Sequence, residues 1–223
     1  MLTKIKIPEK IINNINKDIY YVLTGLFKNK INNHEKIFNF LKKNKKLRPQ
    51  VFDLLNMLPI LGYVNYEIQK KILKEKILNS FLVNWTYPQI RLDYSHSSKF
   101  LAPAHLDKWI LDKEKKGYIV WIPLNKPGSP ILVSETNSVL QVVKNIYWNL
   151  EAKTNGKFKK EFVKFGEGLI FDESLLHKSA DSEESRITLQ LRFEEIKYNK
   201  FERSVTQKIN EKTLAYWKKK FDL

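Results

Sequence analysis

His105 and Asp107, in the run APAHLDKW, are two residues apart. In an extended strand residues i and i+2 point to the same face, so a single metal ion can touch both side chains. A second imidazole would complete a facial set of two histidines and one carboxylate, the arrangement that leaves coordination positions open on non-haem Fe(II). His177, in GEGLIFDESLLHKSA, stands 70 residues beyond Asp107 and is the candidate. The chain contains no cysteine. Thiolate ligands, a disulfide framework and a cysteine nucleophile are therefore excluded, and His, Asp and Glu are left to hold any metal.

Nine residues after His177 comes Arg186, followed by Thr188, in the run SRITLQLRF. Its alternation places Arg186, Thr188, Gln190 and Arg192 on one face of a strand, with Ile187, Leu189, Leu191 and Phe193 on the other. Two guanidinium groups and a hydroxyl turned into a protein interior are costly unless something anionic meets them, and a planar guanidinium suits a carboxylate. This face reads as a carboxylate pocket. Arg192 has two readings, a direct contact to a ligand or an interstrand ion pair with Glu194 or Asp93. Upstream, Gln89, Arg91 and Asp93 alternate with Ile90 and Leu92 in the same way, so Gln89 and Arg91 are candidate pocket residues. Tyr94, Lys99 and Trp121 are weaker candidates.

Positioning these residues requires strands. After about residue 80 the sequence turns to short strand-like runs between turn residues, the habit of an all-β sandwich or barrel. PQIRLDY, KGYIVWIPL, GEGLIFDE and SRITLQLRF are the clearest. Residues 9–80 instead repeat apolar positions such as Ile68, Ile72 and Leu73 at helical spacing, and Pro49, Pro59 and Gly62 divide them into several short helices. Leu140, Val143, Ile146 and Leu150 have the same spacing, which predicts a helical insertion over 136–158, serving as a lid or as packing. Ser204 and Gln207 suggest a capping box ahead of Ile209, Leu214 and Trp217, hence a C-terminal helix over 197–223.

The ordered set of an HxD, a distant His preceded by GEGLIFD, and R-x-T nine residues on resembles the Fe(II)/2-oxoglutarate-dependent dioxygenases. The phytanoyl-CoA dioxygenase-like branch is the nearest in flavour. The resemblance covers roughly residues 80–195, with GYIVWIPLNKPGSPILVSET similar to that branch's Trp-bearing strand and following hairpin. It implies a mainly β fold, a double-stranded β-helix (jelly-roll, cupin-like) core with N-terminal helices and a C-terminal helix. It also implies iron on His105, Asp107 and His177, 2-oxoglutarate with its distal carboxylate on Arg186 and hydrogen-bonded by Thr188, and O2 as oxidant. The family releases succinate and CO2 and usually hydroxylates its substrate. Asp107, where related halogenases carry a small residue, favours hydroxylation. Thr188 departs from the family's usual serine but keeps the hydroxyl donor.

At 223 residues the length suits one domain, 1–223, with a helical part over 1–80 and the β-helix core over 81–196. No stretch approaches the ~20 apolar residues that cross a bilayer. The amino-terminal run shows no signal-peptide pattern, so a cytoplasmic location is expected. The net charge of +16 is nearly all lysine spread along the chain. It reads as a compositional bias towards Lys, Asn and Ile, and nucleic acid is not the expected partner. A small, polar or anionic substrate is expected. The alternatives are the same chemistry on a protein or nucleic acid, and a cupin-type binding or isomerase domain without oxygen chemistry. The sequence is silent on oligomeric state.

Overall fold

A computed structural model describes residues 1–75, 77, 81–84, 88–95, 101–109, 116–145, 149–181 and 184–196. Lys99 and the segment 197–223, with its expected helix, lie outside the described residues.

The chain opens on strand β1 (Leu2–Lys6), followed by four helices, α1 (Glu9–Phe27), α2 (His34–Lys43), α3 (Arg48–Asn56) and α4 (Ile60–Lys74). The opening strand lies ahead of the helical pattern read from residue 9 and adds a β element to the 1–80 part. In LTKIKI the buried Ile5 and Ile7 alternate with exposed Lys4 and Lys6, a period of two over too few residues to stand out. Strands β2 (Phe81–Asn84), β3 (Gln89–Asp93), β4 (Gly117–Pro123), β5 (Gly128–Ser134), β6 (Gln141–Asn145), β7 (Asn149–Lys153), β8 (Phe158–Lys164), β9 (Glu167–Asp172), β10 (His177–Ser179) and β11 (Arg186–Ile196) follow.

Apart from β6 and β7, which pair only with each other, they form two facing antiparallel sheets. The larger runs β1-β9-β4-β11, and β11 then pairs with β3 along Arg186–Gln190 and with β2 along Phe193–Ile196. The smaller runs β10-β5-β8. Consecutive strands β4 and β5 belong to different sheets, so the chain crosses between sheets where a hairpin was expected. Such crossing makes a jelly roll. Between the sheets pack Ile119, Trp121, Leu169 and Phe171 from one side and Ile131, Val133 and Val163 from the other.

The outer face of the larger sheet, with Val120, Ile122, Ile170, Ile187, Leu189 and Leu191, shares one apolar cluster with Ile12, Ile15, Ile19, Leu23, Leu55, Val64, Ile68 and Ile72 of the helices. Each fully buried Ile or Leu contributes about 1.5–3 kcal/mol, so the helical layer is integral to the sheet. The Asn16 side chain donates to Leu124 O (2.8 Å) and ties α1 to the end of β4.

The expected helical insertion over 136–158 is a β-hairpin instead, with Val142 opposite Ala152 and Lys144 opposite Leu150. Two consecutive β-branched valines favour strand over helix. The hairpin base is anchored where Ala152 N–H donates to Ala104 O (2.7 Å) and Asn137 Oδ1 accepts from Leu176 N–H (2.9 Å).

Candidate metal centre

The two histidines meet through the backbone. His105 N–H donates to His177 O (2.9 Å) and His177 N–H to His105 O (3.1 Å), a reciprocal antiparallel bridge that sets both side chains on one face. Their ring centroids are 4.3 Å apart. Asp107 reaches the same point differently from the extended geometry expected, because it begins a 3-10 turn over Asp107–Trp109. One ligand atom from each of His105, Asp107 and His177 lies within 4.8 Å of the others.

The surroundings of these groups match a cation. His105 Nδ1–H donates to Pro103 O (2.8 Å) and His177 Nδ1–H to Leu175 O (2.9 Å), which leaves both Nε2 atoms as lone-pair donors. Burial, with His177 adding to it, pushes the His105 pKa down to about 3. Burial lowers His177 as well, against the opposing pull of Asp107. Both imidazoles are thus neutral, the ligand form. Burial works to raise Asp107, but the Arg192 guanidinium opposes it by charge and by hydrogen bond, and the carboxyl lies below its usual pKa. Arg192 Nε–H donates to Asp107 Oδ1 (2.9 Å), whereas Asp107 Oδ2 is buried, has no hydrogen-bond partner among the described residues, and sits 3.5 Å from His177 Nε2. A carboxylate oxygen buried without a partner is costly, and a cation between it and the two Nε2 atoms removes that cost.

The register of β3 and β11 confirms the polar face read from alternation: Arg186 faces Asp93, Thr188 faces Arg91 and Gln190 faces Gln89. Arg186 is 2% exposed, and its Nε–H donates to Asp93 Oδ2 (3.0 Å) while Nη1 donates to Pro130 O (3.0 Å). Thr188 Oγ1 is buried with no hydrogen-bond partner among the described residues. Arg192 is an ion-pair residue, but its partner is Asp107, not Glu194 or Asp93. Its Nη1 and Nη2 donate to Gln89 Oε1 (2.7 Å) and Gln190 Oε1 (2.8 Å), so Gln89 is linked to Asp107 through Arg192.

A narrow cavity of about 10 Å³, room for one water, is lined by residues that include Arg91, His105, Trp121, His177 and Arg186. Trp121 therefore serves both the intersheet core and the cavity wall. Tyr94 does not reach the cavity. With Asp93 facing inward, the next residue faces outward, and the Tyr94 ring packs edge-on against Phe38 of α2 beneath the Arg48 guanidinium. Sequence reading missed the hub role of Asp93, which the shared parity of Gln89, Arg91 and Asp93 only hinted at, and Ser179, for which it gave no signal.

No protein-family model matches the sequence, and no curated protein matches it significantly. Among solved structures, ThoJ, a non-heme monooxygenase, aligns over 85% of this chain and 71% of its own with a TM-score of 0.50 at 12% identity. EvdO2 from Micromonospora carbonacea var. aurantiaca, solved with 2-oxoglutarate, aligns over 68% of this chain with a TM-score of 0.43 at 16% identity. The aligned part spans 64% of the EvdO2 chain. A Pseudomonas putida prolyl-4-hydroxylase aligns over 88% of both chains with a TM-score of 0.44 at 10% identity. The likeness to ThoJ shows a common fold: this chain has the double-stranded β-helix found in non-haem oxygenases. No described helix is long and apolar enough to cross a membrane.

Proposed function

We propose that the chain is an Fe(II)- and 2-oxoglutarate-dependent dioxygenase that hydroxylates a small, polar or anionic molecule. The observation that carries this reading is the meeting of two Nε2 lone pairs with the buried, partnerless Asp107 Oδ2, a donor set that fits Fe(II) and leaves further positions for cosubstrate and O2. Iron with 2-oxoglutarate and O2 supplies the oxidation, in which one oxygen atom enters the substrate and the other enters succinate as CO2 is lost. The protein's part is to hold, orient and exclude water. His105 and His177 offer neutral nitrogen ligands whose tautomer is set by backbone carbonyls, and Asp107 offers one oxygen while Arg192 retains the other. Thr188 Oγ1 and Arg186 are suited to the distal carboxylate of 2-oxoglutarate, one with an unused hydroxyl, the other with a buried positive charge. Trp121 and the intersheet core around it limit water.

The test is an anaerobic titration of the metal-free protein with Fe(II) and then 2-oxoglutarate, followed by the visible charge-transfer band of the chelate. The band is expected in the wild type and absent in His177→Ala. Iron binding without any band would reject the oxygenase in favour of a cupin-type metal domain. Failure to bind iron at all would reject the metal centre.

A further inference from the structure

Asp93 is 4% exposed and stands between two arginines. Its Oδ2 accepts from Arg186 Nε–H (3.0 Å) and from Ser179 Oγ–H (3.3 Å), and its Oδ1 accepts from Arg91 Nη2–H (3.3 Å). The chain of bonds continues, because Ser179 Oγ accepts from Ala102 N–H (3.1 Å). Ala102 is three residues before His105, and Ser179 is two residues after His177. One carboxylate thus joins the segments that carry both histidines to the arginine of the cosubstrate pocket.

One feature makes this more than an internal ion pair. Asp93 engages Arg186 only through Nε, and Pro130 O takes Nη1, so Nη2 makes no hydrogen bond to any described residue. A guanidinium held at two of its nitrogens has its rotamer fixed and its third nitrogen left to donate, the condition for docking a carboxylate without reorganisation.

We propose that Asp93 is a positioning residue for 2-oxoglutarate: it orients Arg186 towards the distal carboxylate and so selects a dicarboxylic 2-oxo acid over a monocarboxylic one. The inference rests on the role of Arg186 given above. Asp93 itself touches neither metal nor cosubstrate in this assignment. A residue that merely stabilised the fold would affect all 2-oxo acids alike, since they share the chelating end, and only the distal carboxylate reads the orientation of Arg186.

The test compares binding of 2-oxoglutarate with binding of 2-oxopentanoate, which has the same carbon chain without the distal carboxylate, to the anaerobic Fe(II) protein by charge-transfer titration. Hydrogen bonds to charged groups predict a wild-type preference for 2-oxoglutarate on the order of 10- to 100-fold. Asp93→Asn is expected to reduce that preference by about tenfold while 2-oxopentanoate and Fe(II) affinity change by less than about threefold. Asp93→Glu keeps the charge, displaces it by one methylene, and is expected to lose the preference too; it is the variant to read if Asp93→Asn does not fold. An unchanged preference in the folded variant, or equal weakening of both acids, overturns the proposal. Arg186→Ala separates the two layers: it should abolish the preference, and a preference surviving in Arg186→Ala rejects the role of Arg186 itself.

Discussion

Arg192 shows how a single side chain sets the character of a candidate metal ligand. It spends three donors on Asp107, Gln89 and Gln190, and in doing so leaves Asp107 one oxygen for a cation. Arg192→Gln should weaken Fe(II) about 10- to 100-fold in competition with a chelator, because ligand orientation and charge are both altered. The preference for 2-oxoglutarate over 2-oxopentanoate should persist. The apo-protein should also lose about 3–5 kcal/mol, since Asp107 is left as an uncompensated buried charge; a metal affinity equal to wild type would remove Arg192 from this role. The residues of the site were legible to unequal depth. The meeting of His105, Asp107 and His177 was readable from type and spacing, and alternation gave the parity that Gln89 and Arg91 share with Asp93. Which arginine meets which carboxylate was not, because that depends on a register linking Asp93 to Arg186 and on a turn that brings Asp107 under Arg192. Tyr94 was misplaced for want of that parity being carried one residue further.

At the level of elements, β3, β4, β9 and β11 were readable because each alternates or runs apolar over five or more residues. β10 spans three residues, and β1 has only Ile5 buried within its span, too little for periodicity to distinguish. The hairpin β6–β7 was misread because its apolar residues fall at helical spacing, while the strand preference of Val142 and Val143 is local and shows no periodicity. Two predictions belong here. Gly128 has φ 136°, and a Cβ there would lie 2.2 Å from Val163 O, inside the β5–β8 pairing. Backbone cannot yield as a flexible side chain would, so Gly128→Ala should lower Tm by several degrees or prevent folding, with Ser129→Ala as a milder neighbour.

The second concerns α2, whose His34 donates from Nε2 to Asn16 Oδ1 (3.1 Å) and has its pKa pushed down to about 4 by burial. The unfolded chain takes up this proton near pH 6.5 while the folded protein resists until about pH 4, so stability falls as pH falls through that window. Tm curves of wild type and His34→Gln should therefore converge on acidification below pH 6.5; curves that stay parallel would show that His34 does not contribute.

For the whole molecule, the helices and the larger sheet share one apolar cluster. They should unfold together, giving coincident thermal transitions by far-ultraviolet circular dichroism and by tryptophan fluorescence, and a separate earlier loss of helix would show the layer to be independent. The charge of +16 is the other molecular property. Read as composition, it predicts no tight binding of duplex DNA at physiological ionic strength, and a steep salt dependence of such binding would revive the macromolecular substrate.

The reciprocal backbone bridge between His105 and His177 has a further consequence, in the time dimension of synthesis. The two ligands belong to segments 72 positions apart, and neither imidazole faces the other until the smaller sheet has accepted β10. If these three side chains hold a metal as proposed, a nascent chain that has released His105 and Asp107 would offer only two of the three ligands, a weak and exchangeable site. Tight metal capture would then wait for the ribosome to pass residue 177 and for β10 to join the smaller sheet, which would make metal retention a readout of completed folding.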